Sequence, residues 1–329
     1  MTELRTIDAI RGALDDALAA DPAVCVLGED VTVGGPFGAT KDLVERYGEQ
    51  RVRNTPISEG TVVGLAVGAA LAGLRPVVEV MFVDFITLAM DQLVNHAAKL
   101  HYMTGGQLRV PLTIRVQGGA VGAMGAHHSQ SLEAWFLHVP GLKVVAPSTP
   151  ADARGLLLAA IRDDNPVVYL EHRGLYWTRG EVDDAGEARI GQAAIRRAGT
   201  DVTIIAWSRM VGTALEAAEE LARDGLEAEV IDARSLVPLD LETIVGSVRR
   251  TGRLVVAHEA VERGGAGAEI AATVSATVPN VLRAPVARVG APFAPVPASA
   301  ELEALYVPSA GRIVDAVRSV VGSATARLS

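Results

Sequence analysis

Short apolar runs rich in Val, Ile and Leu recur through the first half of this 329-residue chain, and they constrain its fold more than any other feature. They are "AVCVLGE" (23–29), "PVVEVMF" (76–82), "VPLTIRV" (110–116), "LKVVAP" (142–147) and "PVVYLE" (166–171). Runs of this kind read as strands covered on both faces, which is the habit of parallel sheets. Between them lie stretches of helical length with a period near 3.6, such as 84–100 and 150–162. Thr149, Pro150 and Asp152 form a helix start: a cap, a proline at the first position and an acid in the first turn. Strands alternating with helices predict an α/β fold built on a mostly parallel sheet.

From Glu181 to Asp201 the chain turns polar, and a second α/β pattern follows. "DVTIIAW" leads into a helix near 211–224, "EAEVIDA" into one near 240–249, and "GRLVVAHE" into one near 266–277. Two doubly wound domains are expected, at 1–185 and 201–329, with a linker at 186–200. No short-period repeat of the kind that marks solenoids is present.

With 49% hydrophobic residues the chain has enough apolar material for two cores. The net charge of −9 is spread without a basic block, which argues against nucleic acid as a partner. Cys25 is the single cysteine, so no intrachain disulfide or thiolate metal cluster can form, as suits a reducing cytoplasm. The N-terminus lacks an apolar signal core. The most apolar run, Val62 to Leu74, falls short of the about 20 residues that span a bilayer. A cytoplasmic protein with no membrane association is expected. G-x-S-x-G, H-E-x-x-H and Walker A motifs are absent. "GGAGAEI" (264–270) has Ile270 where a dinucleotide fingerprint needs its third glycine, so it reads as a tight helix start.

Several residues sit where chemistry is plausible. Glu59 in "RVRNTPISEG" follows a strand and opens a helix, where an acid matches the helix dipole. Gly60, Gly64, Gly68 and Ala72 line one face of that helix, suited to a crowded core or a close helix crossing. Met81 and Phe85 lie at a strand end, the edge at which open α/β sheets bind ligands. Asp163 and Asn165 follow a helix C-terminus with its free carbonyls. In "GAMGAHHSQS" (122–131), Ser129 or Ser131 is placed to cap a helix running to about His138, which would set His128 at its start. The positive helix end would then keep the His128 ring neutral. His258 and Glu259 form a pair after a strand and read as structural or subunit-facing.

"RVRNTPISEG" (51–60), "GAHHSQSLEAWFLHVPGLKVVAPSTPADARGLL" (125–157) and "AAIRDDNPVVYLEH" (159–172) together resemble the beta subunit of the thiamine-diphosphate-dependent, decarboxylating component of 2-oxo acid dehydrogenase complexes. The similarity runs over the whole chain, and "MFVDF" and "YMTGG" are most like the pyruvate and acetoin branches. The resemblance implies a transketolase-like architecture, with a pyrimidine-binding domain followed by a transketolase C-terminal type domain. It implies that Glu59 faces the cofactor's aminopyrimidine nitrogen, that Met81 packs and Phe85 stacks on that ring, and that His128 serves acyl transfer to a lipoyl group, with His127 replacing the usual Gln. It further implies a potassium ion held by the carbonyls of Leu112, Ala160, Asp163 and Ile161 with Asn165. The family's Gly-Asp-Gly…Asn motif for diphosphate and magnesium is absent here, so those would be held by an alpha subunit in an alpha2beta2 heterotetramer. A lipoyl-bearing acyltransferase component and a small 2-oxo acid or acetoin complete the implied partners. Two alternatives stay open: an acetoin-cleaving or acyloin-forming enzyme with the same cofactor, and a non-catalytic transketolase-like binding protein.

Overall fold

The computed structural model describes residues 1–183 and 188–325. Contacts divide the chain into two units: Met1–Gly119 with Trp135–Ile190, and Ala120–Ala134 with Gly191–Ser329. Ala120–Ala134 thus groups with the second unit, whereas the sequence reading kept it in the first domain. The expected boundary at 185/186 lies outside the described residues.

The first unit is built on strands β1 (Thr2–Arg5), β2 (Val24–Gly28), β3 (Val52–Asn54), β4 (Arg75–Val80), β5 (Thr113–Gly118), β6 (Lys143–Val145), β7 (Val167–His172) and β8 (Arg179–Val182). In the main sheet of this unit the order is β6-β7-β5-β4-β2-β3, and every pairing is parallel. β1 and β8 pair separately as an antiparallel ribbon. The connecting helices are α1 (Thr6–Ala20), α2 (Leu43–Tyr47), α3 (Glu59–Leu71), α4 (Leu100–Met103), α5 (Glu133–Leu137) and α6 (Pro150–Arg162). Ile10 and Leu14 of α1 meet Leu156 and Leu157 of α6 over Val26, Val77 and Tyr169, all buried. The expected cap at Thr149 is present, with its Oγ1 accepting from Asp152 N at 3.2 Å.

The segment expected as one helix over 84–100 is instead a 3₁₀ turn at Phe85–Ala89 and a π turn at Gln92–Ala97. It lies hard against α3. A Cβ on Gly60 would stand 3.1 Å from Leu88 O, and one on Gly64 would stand 3.2 Å from Gln92 Cγ. Gly68 and Ala72 are exposed. The small-residue stripe is therefore half a crowded intrachain contact and half open surface.

In the second unit, β9 (Ala194–Arg197), β10 (Val202–Ala206), β11 (Ala228–Asp232), β12 (Leu254–Val261) and β13 (Ala287–Ala291) form one sheet in the order β13-β12-β10-β11-β9. All pairings are parallel except β9, which runs antiparallel to β11 along the edge. β9 falls inside the expected 186–200 linker; its Arg196 pairs with buried Asp232 at 2.9 Å, so charged residues were needed there for pairing rather than for solvation. Helices α7 (Met210–Arg223), α8 (Leu241–Thr251), α9 (Ala266–Thr277), α10 (Ala300–Tyr306) and α11 (Ala310–Thr325) complete the unit. Val211, Ala214 and Leu221 of α7 and Ile313, Val314 and Val317 of α11 bury against β10 to β13. Among the described residues, no helix is long and apolar enough to cross a membrane.

Candidate active site

In a parallel sheet the strand ends of one sign gather at one edge, and ligands bind outside the carboxyl edge. The first unit places Glu59, Met81 and Phe85 there. β3 ends at Asn54, and the chain turns through Thr55–Ser58 into α3, whose first residue is Glu59. Thr55 N donates to Gly28 O at 3.0 Å, tying this turn to the end of β2. Ser58 does not cap α3 with its side chain; its Oγ donates to Thr61 Oγ1 at 2.8 Å. Glu59 is buried at 8% exposure, unusual for a carboxyl without a paired base.

Glu29, which directly follows β2, shares this environment. Burial pushes its pKa up, and the nearby Glu59 and Asp30 carboxylates push it further. A carboxyl with a raised pKa at a strand end is a feature common at acid–base sites. Met81 and Phe85 are half-buried, so each keeps a face for a ligand. Phe85 meets buried Phe82 edge-on, with ring centroids 5.5 Å apart at 76°.

At the same edge β5 and β7 add residues that sequence reasoning passed over. His172 ends β7, and its Nδ1 accepts from Gly174 N at 3.0 Å. Its ring lies where a Cβ on Gly119 would stand, so that position needs glycine. Arg173 donates to Gly119 O at 2.8 Å and sits over the Phe82 ring, 5.2 Å from its centroid. The signal for them was present: a strand end, then a polar pair beside "GG" at the end of the neighbouring strand. The sequence reading saw no motif around His172.

Leu112, Ala160, Ile161, Asp163 and Asn165 gather at the opposite, amino-terminal edge, before β5 and β7 and at the end of α6. The backbone oxygens of Leu112, Ala160, Ile161 and Asp163 already carry hydrogen bonds. Leu112 O accepts from Val167 N at 2.8 Å, and Ala160 O accepts from Asp163 N at 3.2 Å. Ile161 O and Asp163 O accept from the Arg75 guanidinium at 3.2 and 3.1 Å. The Asp163 carboxylate takes Asn165 N and Nδ2, both at 2.9 Å, and Lys143 Nζ. The donor set is all oxygen, which suits a hard monovalent cation in type. Each carbonyl keeps a second lone pair, yet two cationic side chains already neutralise the cluster. Among the described residues, no group of three or more His, Cys, Asp or Glu side chains converges as a metal site.

The histidine pair lies in Ala120–Ala134, within the second unit. The helix expected from Ser129 or Ser131 starts at Glu133 and ends at Leu137. His128 is therefore not at a helix start but in a turn, where its N–H reaches Gly125 O at 3.4 Å. Gly125 and Ala123 take positive φ and the chain folds there as a loop, so no helix N-terminus lies at His128 as expected from the serines. His127 lines a cavity of about 430 Å³ with Ser129, Gln130, Glu259, Phe293 and Tyr306. Glu259 accepts from Ala120 N at 2.6 Å, anchoring the start of the loop. Burial raises the Tyr306 pKa, and Glu259 adds to the shift. His258 is fully buried, its ring stacked on Trp207 at 5.3 Å and 14°, and burial pushes its pKa down to about 4. A structural reading of His258 and Glu259 accords with these contacts.

The transketolase pyrimidine-binding domain matches residues 2–178, and the transketolase C-terminal domain matches 191–313. The acetoin:2,6-dichlorophenolindophenol oxidoreductase beta subunit of Cupriavidus necator is 45% identical, covering 95% of this chain and 96% of that one. The mitochondrial pyruvate dehydrogenase E1 component subunit beta-1 of Arabidopsis thaliana is 47% identical, over 96% and 88%. A solved split-gene transketolase, described as an inactive beta4 tetramer, superposes with a TM-score of 0.79 at 25% identity, over 97% and 98%. The chain belongs to the transketolase-like family of beta subunits that includes those of pyruvate dehydrogenase E1 and of the acetoin oxidoreductases.

Proposed function

We propose that this chain is the beta half of a thiamine-diphosphate-dependent 2-oxo acid dehydrogenase of pyruvate type, which decarboxylates its substrate and passes the acyl group to a lipoyl carrier. The observation that carries the reading is the buried carboxyl of Glu59, held at the first residue of α3 beside Glu29. When bound, thiamine diphosphate would supply a thiazolium carbon acid whose conjugate base is a nucleophile for the 2-oxo group and whose ring is an electron sink for decarboxylation. Glu59 holds or releases a proton at its carboxyl oxygen toward a ring nitrogen, and its buried setting favours that hydrogen bond over one to water. Phe85 supplies a flat apolar face and Met81 a polarizable flank for a heteroaromatic ring, so this carboxyl edge suits the aminopyrimidine half of the cofactor.

An alpha subunit holds the diphosphate and its magnesium in this reading, since the chain lacks the Gly-Asp-Gly…Asn motif. The functional unit is then an alpha2beta2 heterotetramer acting in the cytoplasm with a lipoyl-bearing acyltransferase. His128 is assigned to proton donation during acyl transfer, and His127 to the wall of the second-unit cavity. The oxygens at the amino edge are assigned to potassium in a structural role; no catalytic step depends on it. Acetoin is a second reading for the substrate, favoured by the 45% and 44% identity to the Cupriavidus necator and Bacillus subtilis acetoin:2,6-dichlorophenolindophenol oxidoreductase subunits. Assaying the chain reconstituted with its alpha subunit against pyruvate, branched-chain 2-oxo acids and acetoin tests both. Turnover of pyruvate with lipoyl reduction supports the first, and turnover of acetoin alone replaces it with the second.

A further inference from the structure

One face of the first unit's sheet carries a buried ionic cluster. Arg115 on β5 donates Nη1 to Glu79 on β4 at 2.6 Å, and Nε and Nη2 to Glu171 on β7 at 2.7 and 3.0 Å. Tyr176 Oη donates to the same Glu171 carboxylate at 2.6 Å. All four residues are buried, with Glu79 at 8% the most exposed. Two carboxyls share one guanidinium away from water, and burial pushes the Glu79 pKa up; a buried ionic cluster of this kind is costly to keep for stability alone.

The cluster is the floor on which the loop after β2 rests. At Gly35 (φ +65°) a Cβ would stand 2.6 Å from Glu79 Oε1, so backbone lies directly on that carboxylate and only glycine fits. Two residues on, the Phe37 ring packs on Tyr176, with centroids 5.4 Å apart. The same loop runs back to the acid pair: Gly35 N donates to Asp30 O at 2.8 Å, and Thr32 N donates to Asn54 Oδ1 at 3.0 Å. Asn54 is the last residue of β3, one step before the turn that delivers Glu59. A continuous path of contacts therefore joins the buried cluster to Glu29 and Glu59.

We infer that the Glu79–Arg115–Glu171–Tyr176 cluster positions Glu59 by clamping the Gly34–Phe37 loop. The inference rests on the reading of Glu59 given above. The four residues are positioning residues, since their side chains are buried and hydrogen-bonded to one another. Misplacement of an acid–base group by a fraction of an ångström costs rate without abolishing binding, so the cluster's effect belongs in cofactor activation rather than in affinity.

The test uses Gly35→Ala, Glu79→Asp, the double variant, and Phe37→Leu, with Glu59→Gln as reference. On the chain alone, amide hydrogen exchange across residues 29–42 reads the clamp. On the chain assembled with its alpha subunit, hydrogen exchange at the thiazolium carbon reads Glu59, and the dissociation constant for thiamine diphosphate is measured beside it. Gly35→Ala is expected to speed loop amide exchange and slow thiazolium exchange about ten-fold with affinity little changed. Adding Glu79→Asp, which withdraws the carboxylate by one methylene, is expected to restore part of each, the strain of alanine at φ +65° remaining. Phe37→Leu, which keeps the backbone unstrained, is expected to give a smaller shift in the same direction. Thiazolium exchange at the wild-type rate in Gly35→Ala and Phe37→Leu, or no rescue by Glu79→Asp, would overturn the inference. Wild-type exchange in Glu59→Gln would instead remove the functional reading beneath it.

Discussion

The two edges of the first unit's sheet handle polar groups in opposite ways. At the amino edge, oxygens of α6 and its following turn are paired with cations: Arg75 takes two carbonyls and Asp164, while Lys143 takes Asp163. At the carboxyl edge, Glu59 is buried beside a second acid, and Met81 and Phe85 are left half-covered. The cation-paired edge is built for stability, and the acid-rich, part-covered edge keeps its interactions for something else. Enzyme sites commonly hold groups in arrangements that cost stability until the ligand arrives.

The contrast is sharpest if the chain is half of a site. The isolated chain is expected to show no decarboxylation above background, with activity appearing only on mixing with the alpha subunit; an assay of each alone and both together checks this. An active isolated chain would break the assignment of diphosphate binding to the partner. In the assembled protein, His128→Ala should lower lipoyl acylation by about 10²–10⁴-fold, the range for a general acid, and affect decarboxylation with an artificial electron acceptor far less. His127→Gln should change either rate little. The reverse ranking would exchange the roles of the two histidines.

The second unit supplies a stability control. His258 is held to a pKa of about 4, against 6.5 for an unperturbed histidine. Between those values the unfolded chain binds a proton that the folded chain does not. Stability therefore falls as pH drops from 6.5 to 4, by up to about 3 kcal/mol. His258→Phe, which keeps a ring against Trp207, should flatten that part of the curve, as denaturant titrations across the range would show. At the amino edge, Arg75→Ala removes donors from Ile161 O, Asp163 O and Asp164, and should cost about 1–2 kcal/mol while leaving thiazolium exchange unchanged. A large loss of exchange there would erase the distinction between the edges.

Much of this was legible in the sequence because it depends on local pattern. Strands 23–29, 76–82 and 166–171 and helix 150–162 follow from apolar period and from the Thr149 cap, and the structure has them within two residues. Glu59 was legible because its helix position is set by chain neighbours. The failures share one cause: dependence on distant partners. Segment 84–100 has a helical period, but close contact with Gly60 and Gly64 goes with 3₁₀ and π turns. Residues 194–197, with Arg196 and Arg197 in a polar stretch, read as linker, yet they pair with β11, where Asp232 takes Arg196. His128 was placed at a helix start from its neighbouring serines, but the helix begins five residues later. Glu29, His172 and Arg173 have no motif of their own and become visible only when the sheet lines up its strand ends.

In the proposed site the carboxyl of Glu59 exchanges the proton that activates the cofactor. Thiazolium hydrogen exchange in the assembled protein, compared between wild type and Glu59→Gln, isolates that step. Glutamine keeps the shape and removes the proton-exchanging oxygen, so exchange should slow by about 10²–10⁴-fold with the fold and melting temperature retained. Exchange at the wild-type rate in a folded, cofactor-bound Glu59→Gln protein would contradict it.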